Sequence, residues 1–163
     1  MSAATKPARR ELKFTSLDDV VRDAEHLLAV GYDRAGNWDL AQCCTHLAEW
    51  MRFPIDGFPK PPLPIRALLW VARHTVGKAK FREYVGGGRM PTGKPTMPQT
   101  VAAPGGDAAA AVVKLRQAVE RFKAHAGDIH SSPLFGAMNK DEATRLQLVH
   151  CAHHLSFLVP RAS

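Results

Sequence analysis

Apolar residues along this chain recur mostly at three- and four-residue intervals, the spacing that places them on one side of an α-helix. In "TSLDDVVRDAEHLLAVG" they are Leu17, Val20, Val21, Ala24, Leu27 and Leu28. Ser16 or Thr15 suits the N-cap, Asp18 and Asp19 suit the positive helix end, and Gly31 stops the helix. A second helix is predicted over "WDLAQCCTHLAEWMRF", opened by Asn37 and disturbed by Pro54, which offers no backbone donor. The proline-rich "FPKPPLP" is a stiff connector to a third helix, from Ile65 to Val85, with Leu68, Leu69, Val71 and Ala72 and a basic second half. From Gly86 to Gly106 the glycines and prolines predict a loop, long for a compact domain. A fourth helix follows Asp107 and aligns Val112, Leu115, Val119 and Phe122; a fifth starts near Asn139 or Lys140. No stretch alternates as a strand would. The pattern predicts an all-α fold: four long helices of bundle type, one inserted helix and a long loop.

Length and composition add bounds. At 163 residues the chain is read as one domain over 13–163, behind a disordered tail over 1–12. No apolar run is long enough to span a bilayer, and "MSAATKPARREL" lacks the apolar stretch of a secretory signal. The cysteines, Cys43, Cys44 and Cys151, are odd in number and two are adjacent, so a disulfide framework is not expected. That usage predicts a reducing, cytoplasmic setting. The net charge of +7 is dispersed and spells out no nucleic-acid motif, so it reads as a solvated basic surface. "GGGRMPTGK" lacks both the spacing of a phosphate loop and a preceding strand.

The histidines change the picture. His46 falls on the inward line of the second helix, three residues after Cys43 and four before Trp50. His150 falls on an inward line of the fifth, and His154 lies one turn further on. An unpaired buried imidazole is costly, so each must find a partner. Two readings meet that demand: three separately hydrogen-bonded histidines, or one divalent ion held between helices, as histidines at i and i+4 can do. His153 is i+3 from His150, and spacing does not decide which of the adjacent pair points inward. Glu49, i+3 from His46, is a candidate fourth ligand or supporting acceptor, although a solvated helix-surface role is commoner. The cysteines read as small core residues and Trp38 and Trp50 as bundle packing. His26, His74, His125 and His130 stand singly and read as surface residues.

"GNWDLAQCCTHLAEW", a tryptophan followed by a histidine within a turn or two, resembles the second helix of the DinB/YfiT-like superfamily. "LVHCAHHLSF" resembles its partner segment, and "SSPLFGAMNKDEATRLQLVHCAHHL" is similar to a bacterial branch of unknown function. The resemblance implies a four-helix bundle with a divalent metal, zinc or nickel, on His46, His150 and His154. His153 would then turn aside to support a ligand or contact its own helix. In the commonest superfamily ending a glutamine follows the last ligand by three positions; Phe157 stands there in this chain. Relatives of this kind include transferases and isomerases that use mycothiol, bacillithiol or glutathione. A metal-dependent reaction between a small thiol and an electrophilic small molecule is therefore the expected function. Arg73, Lys78, Lys80, Arg82 and Arg89 would hold the anionic cosubstrate, and the long loop would serve as a lid. No residue stands out as an independent catalytic nucleophile. The alternative is a non-enzymatic metal-binding or interaction module with weak affinity for nucleic acid or an acidic partner. Neither a specific nucleic acid nor a membrane is expected as a partner, and a homodimer is left open.

Overall fold

A computed structural model describes residues 6–94 and 96–161 of the chain. It is mostly helical. Helix α1 (Leu17–Val30) is opened by a reciprocal box in which Ser16 accepts from the Asp19 amide and Asp19 accepts from the Ser16 amide. These bonds, with those from Thr15, hold the Asp19 carboxyl well below its usual range. The same device opens α2 (Leu40–Asp56), but its cap is Asp39, boxed with Gln42, and not Asn37. Asp107 caps α5 (Ala108–Ala124), and an Asn139–Glu142 box opens α6 (Lys140–Leu155), so both helices start where the sequence places them.

Helices α1, α2, α5 and α6 pack around one core. Val20, Ala24 and Leu27 meet Leu40, Leu47 and Met51 there, with Leu115, Val119, Phe122 and Leu155, all essentially without solvent contact. Each large apolar side chain buried this fully contributes about 1.5–3 kcal/mol. Pro54 does not end α2. Its missing N–H would leave the Trp50 carbonyl unbonded, and the Gln147 side-chain amide of α6 donates to that oxygen at 2.9 Å. The defect in one helix thus becomes a link to the next.

The third predicted helix is longer than expected and is interrupted. It runs as α3 (Leu63–Ala72), a π-helical turn (Arg73–Gly77) and α4 (Lys78–Gly87), and ends on Gly88 in the left-handed conformation. The following loop accordingly begins at Gly88, later than the glycine run suggests. At Gly77 an added Cβ would lie 2.3 Å from the Leu134 carbonyl oxygen, so the turn at 132–136 approaches this helix more closely than any side chain allows. No residue of α3 is buried, and Leu63, Leu68 and Trp70 are each more than 60% exposed.

Two further expectations are corrected. A pair of three-residue strands, β1 (Tyr32–Arg34) and β2 (Leu158–Pro160), joins antiparallel with Tyr32 opposite Pro160. Segments this short carry no legible alternation, and the pairing forms only once α1 and α6 deliver their ends side by side. The segment expected as a tail is tied down from Lys6 onward; residues 1–5 lie outside the described ones. The carbonyls at the C-terminal end of α6 lack intrahelical partners, and the first arginines supply them. Arg9 donates to the His153 carbonyl, Arg10 to that of Leu155, and the Arg10 amide to that of Ser156. Arg10 also forms a two-pronged pair with Asp23 of α1 at 2.8 Å.

Candidate metal centre

His46 projects from α2, and His150 and His154 from successive turns of α6, into one point between the helices. The Nε2 atom of His150 lies 3.2 Å from that of His46 and 3.1 Å from that of His154. One ligand nitrogen from each ring falls within 4.8 Å of the others. His46 is fully enclosed and His150 nearly so, at 1% and 9% exposure. Burial pushes the His46 imidazole down to about 4 and lowers those of His150 and His154, so all three are neutral at pH 7.

Hydrogen bonding among the rings is incomplete. The Thr100 hydroxyl lies 2.7 Å from the Met97 carbonyl, to which it donates its single proton. Its oxygen therefore accepts from His46 Nδ1–H, at 2.9 Å, leaving a bare lone pair on His46 Nε2. The one proton that His150 Nε2 can carry serves only one of its two neighbours, so three convergent nitrogens share too few protons. A divalent cation resolves this, because each neutral ring offers a lone pair. Tetrahedral zinc, with bonds of about 2.0–2.1 Å, needs nitrogens about 3.3 Å apart, close to the two spacings that His150 makes. The three histidines fit a metal ion.

Aromatic residues wall the cluster. Trp38 stacks on His154 at 5.1 Å with the rings 8° from parallel, and its edge meets His46. Trp50 lies 5.2 Å from His150 and 6.1 Å from His46. Cys43, Cys44 and Cys151 are buried, and burial raises their thiols, that of Cys44 to about 12. They pack the core, as the sequence suggests.

The other candidates separate. His153 turns away from the cluster: its Nδ1 lies 3.3 Å from Arg9, and its ring meets Phe157. Arg9 in turn covers the Phe157 ring at 4.1 Å, so Phe157 is occupied by packing. Glu49 does not support His46, because its carboxylate is taken by Lys114 of α5 at 2.7 Å and Arg52 at 3.4 Å. Thr100, unmarked in the sequence, holds that place. It comes from the long loop, whose second half is pinned to α2: the Gln42 side chain donates to the Ala102 carbonyl, and the Gly105 amide donates to Asp39. Of the cations, Arg89 pairs with Glu11 and Lys80 with Glu83, while Lys78 and Arg82 are exposed. Arg73 lines an open cleft beyond the end of α2. Among the described residues, none of these five bonds to the three histidines.

The model of a family described as a protein of unknown function (DUF1569) matches residues 6–161, and the chain belongs to that family. No curated protein and no solved structure matches the chain. No helix among the described residues is long and apolar enough to cross a membrane.

Proposed function

We propose that this member of the DUF1569 family is a metalloprotein of DinB/YfiT-like bundle type. In this reading it holds one zinc or nickel ion on His46, His150 and His154 and joins a small thiol to an electrophilic small molecule. The observation that carries the reading is the meeting of three neutral imidazoles with fewer protons than their contacts need.

When bound, the ion supplies Lewis acidity at the coordination position that three nitrogens leave free, and so makes a thiol acidic near neutral pH. The chain's own residues prepare that site. Thr100 fixes the His46 tautomer and ring orientation, Trp38 holds the His154 plane, and Trp38 and Trp50 keep water from the rings. Lys78, Arg82 and Arg89 attract the carboxylates or phosphates of the cosubstrate, while Arg73 faces the cleft beyond α2. The cysteines are excluded as nucleophiles by burial and raised thiols.

Metal analysis of purified protein beside single alanine variants tests the first part. About one divalent ion per chain is expected, lost in His46→Ala, His150→Ala and His154→Ala. Metal content unchanged in the two α6 variants overturns the site. Metal-loaded protein assayed with thiols and electrophiles tests the second; a metal-free His46→Ala protein that conjugates as fast as the wild type ends the catalytic reading. One observation favours the alternative of a non-enzymatic interaction module: α3 leaves Leu63, Leu68 and Trp70 exposed. That reading expects bound metal while every thiol–electrophile pair stays silent.

A further inference from the structure

Beyond the histidine cluster, about 15 Å further along α2 at the helical rise, lies an open cleft of ≈ 700 Å³. This volume is in the range of small-molecule sites. Lys60, Arg66 and Arg73 line it, and among the described residues none of the three side chains has a hydrogen bond or an ion pair. Asp56, also in the wall, does not neutralise them. Its carboxylate is held by both nitrogens of Arg121, at 2.5 and 2.8 Å, and by Arg52. Those bonds bring its pKa down to about 2.

Two features of the backbone add to the site, one by its field and one by its rigidity. Helix α3 starts between two lining residues, Pro61 and Arg66, with no side chain capping its N-terminus, so the Leu63 and Ile65 amides (Pro64 has none) and the positive end of its dipole lack a side-chain partner. The π-helical turn begins at Arg73 and is held firmly on the other side. Gly77 abuts the Leu134 carbonyl, and an added Cβ at Gly136 would lie 3.2 Å from Arg73 Nε. The wall carrying Arg73 is thereby fixed against the turn at 132–136, and a short π stretch is a common mark of functional sites.

We infer that this cleft binds the phosphoryl group of a small molecule, through Lys60, Arg66, Arg73 and the open end of α3. Two planar guanidinium forks suit a phosphoryl group, which offers several acceptor oxygens. Three unpaired cations and an uncapped helix end match its double negative charge better than that of a single carboxylate. The site is independent of the metal reading.

The test is a titration of isotope-labelled full-length protein with inorganic phosphate at constant ionic strength, followed by amide NMR shifts. Saturable shifts are expected, centred on the cleft residues. Arg66→Gln and Arg73→Gln should each weaken binding about tenfold, the loss of one charge-assisted contact. Arg34→Gln removes the same charge from an exposed position on β1 and should change binding less than about twofold. The His150→Ala protein should respond like the wild type, so loss of the metal site leaves this result intact. Shifts that never saturate overturn the inference. So does an equal effect of Arg34→Gln and Arg66→Gln, or acetate binding as tightly as phosphate. Dispersed wild-type-like spectra of the arginine variants establish that they fold.

Discussion

His46 and Thr100, 54 residues apart in sequence, share a buried 2.9 Å hydrogen bond that decides which nitrogen of His46 is bare. Because the Thr100 proton goes to the Met97 carbonyl, the imidazole must donate from Nδ1 and present Nε2 to His150. Removing the acceptor frees the ring to turn or change tautomer. Thr100→Val should therefore lower metal affinity about 10- to 100-fold with little change in helix content, and Thr100→Ser should restore it. Competition against a chromogenic chelator measures this. Equal affinity in the valine variant would show that the hydroxyl does not orient the ligand.

Metal-stripped protein should lose stability in mild acid. The folded-state acidity of His46 is about 4 against 6.5 for the free side chain, and those of His150 and His154 are lowered too. Between those limits the unfolded chain binds more protons than the folded one. The stabilising contribution is complete above pH 6.5 and is lost as pH falls towards 4. Urea midpoints of the stripped protein should fall across that window, and protons should displace metal in the same direction. A flat midpoint would contradict burial of three neutral rings.

Gly77→Ala should destabilise the protein by about 1–3 kcal/mol, although alanine is the better helix former. Its Cβ would sit 2.3 Å from a backbone oxygen that can retreat only if the 132–136 turn moves. Chemical denaturation of the variant is the check, and unchanged or raised stability would mean that the turn yields freely.

The thiols offer an inexpensive probe of the core. Cys43, Cys44 and Cys151 are buried, and burial raises their pKa values and so disfavours thiolate. A chromogenic disulfide reagent near pH 8 should react with all three only after denaturant is added. Rapid modification of the native protein would show that α2 or α6 opens locally.

What the sequence by itself determined is local. The 3.6-residue apolar period, a cap at Ser16 or Thr15 and starts near Asp107 and Asn139 identify helices because these signals act within a few residues of one another. His150 and His154 are legible as a pair for the same reason, one turn of one helix bringing them together. Capping also explains the misplacement of the α2 start: Asn37 and Asp39 are both competent caps, and only Asp39 has Gln42 in position to reciprocate. What the tertiary structure alone decided rests on contacts between distant segments. It brings His46 to His150 across 104 residues, chooses His154 over His153 by giving His153 to Arg9, and assigns Glu49 to Lys114 and Thr100 to His46. It also pairs β1 with β2 and satisfies the Trp50 carbonyl through Gln147. Helical period fixes which side of a helix a residue occupies. Which neighbour it meets there depends on how the packed core rotates and spaces the helices, and no local pattern encodes that.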